Sequence, residues 1–194
     1  MKNLSTLVAL LLSCRSALAQ TPAGFTPNVT AHLDVVFGTK VVDPPGTALS
    51  KSDTSRQPSI GTSTALNGSY LWMMIDLDAS TNFANPQAGK PATYLHTVLR
   101  DFKSTGQKSS SGTYTLTTTA TGPVSWFAPA PPAENPPHPH RYTNLLWEQP
   151  ANWVIPQEAS SQLQNKRSGF NVADFQKAAG LSDPVYANYF NVTG

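Results

Sequence analysis

Proline and glycine limit what this chain can fold into more than any other feature of its sequence. Seventeen prolines and twelve glycines, among 194 residues, separate a series of short apolar segments. Proline interrupts helices and central strands, and both residue types favour turns. Short apolar segments bounded by turns are typical of strands, so the sequence predicts a mainly β fold.

The predicted strands differ in how they are covered. Residues 31–37 alternate apolar and polar side chains, as in a strand with one buried face. Continuous apolar runs at 70–75 and 94–99 indicate strands covered on both faces. The remaining predicted strands are the threonine-rich segment 113–119 and the segment 142–147.

One helix is predicted near the C-terminal end. Asn171 suits its N-cap, Val172 and Phe175 fall on one face, and Gly180 suits the left-handed position that follows a helix. Many strands with a few short helices predict an antiparallel β-sandwich with helical decoration.

The N-terminal segment is typical of a secretory signal peptide. Lys2 precedes an apolar run at residues 4–12, and Ala17-Leu18-Ala19 forms a small-residue cleavage pattern. The apolar run is too short to span a bilayer, so we predict cleavage after Ala19 and no transmembrane segment. The expected product is a secreted single domain, residues 20–194.

Cleavage would change the charge and the thiol content of the chain. Removing Lys2 and Arg15 leaves 11 basic and 11 acidic residues, and a neutral protein is not expected to bind nucleic acid. The only cysteine, Cys14, would also be lost, which excludes a disulfide-stapled fold. An exported chain could carry glycans at three sequons, which begin at Asn28, Asn67 and Asn191.

Polar side chains lie in or beside three of the predicted strands. Asp76 follows the second strand, His96 lies within the third, and His140 precedes the last. Buried carboxylates and imidazoles need partners, so an Asp–His pair facing a second histidine would form an anion-binding or acid–base site. A strand histidine is also common as a core residue, and Asp76 alone would suit a turn. The histidines show no recognised metal-ligand spacing, and we expect neither a metal nor a cofactor.

Four short motifs occur in one order along the chain: Asp76-x-Asp78-Ala79, Leu95-His96, Pro131-Pro132 and His140-Arg141-Tyr142. Their order and approximate spacing resemble the phosphatidylethanolamine-binding protein (PEBP) family, in a secreted fungal-type form. The resemblance implies an antiparallel β-sandwich with a pocket for phosphorylated head groups and related small anions. It assigns that pocket to Asp76, Asp78, His96, Pro131, Pro132, His140, Arg141 and Tyr142, with Asp78 and Arg141 in supporting roles.

The chain also departs from the family pattern. Leu77 and Ser80 stand where the family usually has proline, and Thr97 stands where an aromatic residue commonly follows the strand histidine. The interval between Pro132 and the histidine motif is longer than usual, so His138 is an alternative to His140 as the pocket histidine.

The resemblance leaves three functions open. The first is binding of a small anionic molecule or a phospholipid head group. The second is an enzyme or accessory function in fungal secondary metabolism, such as dimerisation of maleic-anhydride monomers to nonadride-type products, with Asp76, His96 and His140 as candidate catalytic residues. The third is inhibition of a protease or kinase, with a protein partner that the sequence does not identify.

Overall fold

The computed structural model describes residues 19–165 and 167–194. The strands are β1 (Asp34–Phe37), β2 (Lys40–Val41), β3 (Thr47–Leu49), β4 (Ser59–Thr62), β5 (Ser69–Ser80), β6 (Pro91–Lys108), β7 (Tyr114–Thr117), β8 (Pro123–Val124), β9 (Pro139–Gln149) and β10 (Tyr186–Thr193). The α-helices are α1 (Gln157–Asn165) and α2 (Val172–Ala178), and a short 3-10 turn spans Pro86–Ala88.

The strands form one sheet in the order β2-β1-β4-β7-β6-β5-β9-β10-β3, with β8 paired to β6. Pairing is antiparallel throughout this order except between β10 and β3, which run parallel. The long central strands β5, β6 and β9 therefore lie side by side. The prediction of a mainly β fold is confirmed.

Strand β6 joins the two halves of this sheet. Its first part pairs with β5 and its last part with β7, across a register irregularity near Asp101. Asp101 has a φ of 60°, and the Gln149 side chain holds it by accepting from its backbone N–H at 2.7 Å. Because one continuous strand turns here, the sheet curls as a half-barrel. The expected antiparallel sandwich is therefore not exactly matched, and the parallel β3–β10 pair also departs from it.

The two faces of β5 contribute to two hydrophobic clusters. Leu71, Met73 and Ile75 pack on the side of helices α1 and α2, whereas Trp72 and Met74 face the inside of the curl. All five side chains are fully buried. This explains the continuous apolar run, because a strand covered on both faces needs no polar side.

The predicted helix is confirmed as α2. The Asn171 side chain accepts hydrogen bonds from the backbone N–H groups of Ala173 and Asp174 at 2.9 and 3.1 Å. Gly180 follows with a φ of 64°, in the left-handed region that favours glycine. The sequence pattern missed α1 because only Ala159 and Leu163 bury apolar side chains there, too few to reveal a helical period.

A buried amide ties the N-terminal part of the chain to the last strand. Asn188 is fully buried, and its Nδ2 donates to the backbone carbonyls of Leu33 and Val42 at 2.8 and 2.9 Å. These bonds satisfy groups that the curled sheet would otherwise bury without partners.

The predicted signal peptide, residues 1–19, lies outside the described residues except for Ala19. Among the residues that are described, no helix is long and apolar enough to cross a membrane.

Candidate functional site

Strand register brings the candidate residues together. Asp76 on β5 is paired with Tyr94 on β6 and with Tyr142 on β9. His96 and His140 lie two positions from these tyrosines, so the two-residue period of a strand directs them to the same face. This face lies inside the curl of the sheet, where Asp76, His96 and His140 are 2–3% exposed.

Asp76 and His140 form a buried pair. The Nδ1 of His140 lies 2.7 Å from Oδ2 of Asp76, and the other carboxylate oxygen accepts the backbone N–H of Asp78 at 2.8 Å. Burial alone would lower the pKa of His140, but the hydrogen bond and charge of Asp76, followed by the charge of Glu134, raise it above its ordinary value. The pair therefore favours the cationic form of an imidazole in the wall of the site.

His96 is held differently. Its Nδ1 lies 2.8 Å from the backbone carbonyl of Phe127, which can only accept, so Nδ1 carries the proton. The rings of Tyr94, Phe127 and Tyr142 surround it with centroids 5.1–5.4 Å away. Burial in this aromatic setting lowers the pKa of His96, and the Phe127 hydrogen bond and the Asp76 charge only partly oppose it. His96 is therefore a neutral imidazole with Nε2 as its acceptor.

Tyr142 completes the polar group of the site. Burial, followed by the charge of Asp76 and a hydrogen bond to its carboxylate, raises the pKa of the Tyr142 hydroxyl far above its usual range, so the hydroxyl keeps its proton. Its ring is stacked on Phe190 at 5.3 Å, which fixes its position against the core.

These side chains line a cavity of about 290 Å³. Its walls are formed by Asp76, Ala79, Ser80, Phe83, Tyr94, His96, Phe127, Ala130, Pro131, Pro132, His140 and Tyr142. Phe83 and Phe127 are exposed large aromatic members of this wall, at 55% and 48%. The sequence did not predict these aromatic residues, because they lie in irregular segments with no period that reveals a shared face.

Asp78 and Arg141 lie beside the cavity and do not line it. The Asp78 carboxylate accepts from Nε and the terminal nitrogen of Arg141 at 2.7 Å each, and from the Arg141 backbone N–H at 2.8 Å. Burial would raise the pKa of Asp78, but these bonds lower it overall. The bidentate pair fixes the start of β9 next to His140, so the geometry gives Asp78 and Arg141 a positioning role.

His138 and His140 occupy different places. His140 lines the cavity, whereas the His138 side chain is 46% exposed and borders a neighbouring depression together with Glu134. The Glu134 carboxylate reaches both rings: it lies 2.9 Å from Nδ1 of His138 and 3.6 Å from Nε2 of His140. The sequence did not single out Glu134.

The predicted glycan sites lie away from the cavity. Asn28 and Asn67 are exposed in irregular segments. Asn191 lies within β10, and its Nδ2 donates to the backbone carbonyl of Gly46 at 3.0 Å. His32, on the N-terminal segment, contacts Gln20 and Asp34 rather than the cavity.

Comparison with known proteins places this geometry in a family. The family model described as phosphatidylethanolamine-binding protein matches residues 36–190. A Talaromyces stipitatus protein, "Phomoidride biosynthesis cluster protein N", is 30% identical, with 96% of each chain covered. Among solved structures, carboxypeptidase Y inhibitor superposes with a TM-score of 0.59 at 18% identity, covering 85% of this chain and 84% of the other. The phosphatidylethanolamine-binding protein of Plasmodium vivax gives 0.51 at 17%, with 84% and 85% covered. The chain belongs to the phosphatidylethanolamine-binding protein family.

Proposed function

We propose that the cavity binds a small anionic molecule through His140 and Tyr142. The observation that carries this proposal is the Asp76–His140 pair, which buries an imidazole donor in the wall of an otherwise mostly apolar cavity and favours its cationic form. Burying a charged group in such a place costs free energy. An anionic ligand would lower that cost by accepting a hydrogen bond from the imidazole.

The size of the cavity limits the ligand. About 290 Å³ is at the low end of the range for small-molecule sites, so it suits a carboxylate, an anhydride or a phosphorylated head group rather than a whole lipid. The apolar walls formed by Phe83, Phe127 and Pro131 would contact the non-polar part of the same molecule.

Imidazole NMR signals provide a direct test. Inorganic phosphate and succinate are titrated separately into protein labelled with ¹⁵N at histidine and dialysed free of metal. The signals of His140 and His96 should shift in a saturable manner, whereas those of His32 should not. Saturable shifts at His32 alone, or no saturable shift at any histidine, would contradict binding in this cavity.

A second candidate function is acid–base assisted coupling of small anionic monomers in secondary metabolism. Two features favour it. The relative named for a phomoidride biosynthesis cluster is similar over nearly the whole chain. The lowered pKa of His96 favours a neutral base, and the raised pKa of His140 favours a cationic neighbour in the same cavity wall. His96 Nε2 would accept a proton from the alkyl carbon attached to the ring double bond of the anhydride, and His140 would stabilise the oxygen of the resulting dienolate. The dienolate carbon would add to the ring double bond of a second monomer, and the proton would return from His96 to the enolate carbon of the adduct.

The test is a coupling assay with an alkyl-substituted maleic anhydride, comparing the wild type with His96→Asn. If His96 is the base, the variant should still bind succinate but form dimer at least about a hundredfold more slowly. Equal rates in the two proteins would rule out this assignment of His96.

At 18% identity, the likeness to carboxypeptidase Y inhibitor establishes a shared fold, and inhibition stays a prediction from the family resemblance.

A further inference from the structure

Three metal-ligating side chains converge where the proline-rich loop enters β9. Glu134, His138 and His140 each offer one ligand atom, and these atoms lie within 4.8 Å of one another. The carboxylate bridges the two rings: Oε2 lies 2.9 Å from His138 Nδ1, and Oε1 lies 3.6 Å from His140 Nε2. His138 lies just before β9 and His140 within it, and their ring centroids are 5.2 Å apart.

The spacing suits a common centre. Nitrogen and oxygen ligands bind zinc at about 2.0–2.2 Å in a tetrahedral arrangement, which separates neighbouring donors by roughly 3.3 Å. The separations of 2.9 and 3.6 Å, each to a different oxygen of the Glu134 carboxylate, bracket this value. The His138 ring is 46% exposed and lies on an irregular segment, so core packing does not hold it in place.

His140 shows a second, independent feature of a metal ligand. It is 2% exposed, and its Nε2 has no hydrogen-bond partner among the described residues, although it faces Glu134. Its other nitrogen, Nδ1, is bound to the Asp76 carboxylate at 2.7 Å. Metal-ligating histidines commonly donate their far ring nitrogen to a carboxylate, which fixes the tautomer and orients the ring.

We propose that Glu134, His138 and His140 bind a divalent transition-metal ion, with Asp76 as the positioning residue for His140. Two imidazoles and one carboxylate form a ligand set that zinc and related ions accept, and three protein ligands leave a coordination position for another oxygen. The sequence predicted no metal, because the loop that brings Glu134 to the histidines has no recognised motif spacing.

The site lies in the wall between the cavity and the neighbouring depression. A divalent ion on Nε2 would bring its own positive charge to this wall. An anionic oxygen could then bind the open coordination position of the ion. The metal site does not depend on the proposed anion binding, since its ligands are complete without it.

Calorimetric titration of Zn²⁺ into the metal-free chain tests the proposal, with Co²⁺ absorption as a second measure of the ligand set. The wild type should bind one ion. Glu134→Gln and His138→Ala should each weaken the affinity at least about tenfold, and Asp76→Asn should weaken it about ten- to a hundredfold. Glu134 and His138 lie outside the hydrophobic clusters, so these two variants should fold normally.

His32→Ala is the matched control, because this partly exposed histidine also lies near a carboxylate, that of Asp34. It should bind zinc as the wild type does. The proposal is overturned if the wild type binds no zinc at 1:1 stoichiometry, or if Glu134→Gln and His138→Ala bind as tightly as the wild type. The phosphate titration of metal-free protein is a separate result: loss of zinc binding with retained phosphate binding would refute the metal site alone.

Discussion

Replacing His140 with alanine should weaken anion binding by about ten- to a hundredfold in protein free of metal. The imidazole is 2% exposed, so a hydrogen bond from it to an anion would be shielded from water. Such charge-assisted bonds contribute about 1.5–3 kcal/mol, and about 1.4 kcal/mol corresponds to each tenfold change in affinity. The estimate covers one lost donor and leaves Tyr142 in place.

His140→Ala has a second effect on anion binding, which must be distinguished from the loss of the imidazole donor. It leaves the Asp76 carboxylate, whose side chain is 5% exposed, without its cationic partner, and this negative charge would repel an anion. The double variant Asp76→Asn/His140→Ala removes the repulsion, so it should bind more tightly than His140→Ala while remaining weaker than the wild type.

Calorimetric titration with phosphate and succinate measures these affinities, and circular dichroism confirms that each variant is folded. His32→Ala is the control, since His32 lies outside the cavity, and its affinity should equal that of the wild type. Equal affinities in His140→Ala, His32→Ala and the wild type would refute the argument that His140 supplies the anion donor.

Four further predictions concern other parts of the chain. Because the pKa of His96 is lowered in the folded chain, the unfolded chain takes up a proton more readily, and the free energy of unfolding should fall as the pH drops below the ordinary value of 6.5. In denaturant titrations, His96→Gln should lose less free energy of unfolding between pH 7 and 5 than the wild type. Asn188→Leu should lower the free energy of unfolding by about 2–4 kcal/mol, because two buried carbonyls lose their donor; an unchanged denaturation midpoint would contradict this. Mass spectrometry of secreted protein should find glycans at Asn28 and Asn67, which are exposed, and not at the third sequon, whose amide is already bonded. Sequencing the same material should give Gln20 as the N-terminus, and an intact leader would contradict the predicted cleavage.

The residues that the strands contribute to the site could be predicted, because the pattern that marks a strand lies in adjacent residues of the sequence. Asp76, His96 and His140 each lie in or beside an apolar run, and pairing of neighbouring strands brings such positions together. The structure does place all three in one cavity wall, and their binding role remains a prediction. Local pattern could equally reveal α2, because its cap, apolar face and terminal glycine are adjacent in sequence.

The loop part of the site could not be predicted in this way. Phe127 and Glu134 reach the histidines from an irregular segment, where no two-residue or 3.6-residue period relates sequence position to direction. Their contacts depend on how the loop crosses the sheet, which is a tertiary property. The same limit explains the missed cluster of Glu134, His138 and His140.

The different places of Asp76 and Asp78 also follow from tertiary geometry. A strict two-residue period would direct both carboxylates to the same face, whereas the family resemblance assigned Asp76 to the pocket and gave Asp78 a supporting role. In the structure, the pairing of β5 with β6 is irregular between Asp76 and Ala79, which allows the second carboxylate to leave the face of the first. Asp76 therefore bonds to His140 inside the curl, while Asp78 bonds to the next residue, Arg141, nearer the surface. Two carboxylates on β5 thus hold two consecutive residues of β9. One pair orients the imidazole, and the other fixes the backbone that carries it.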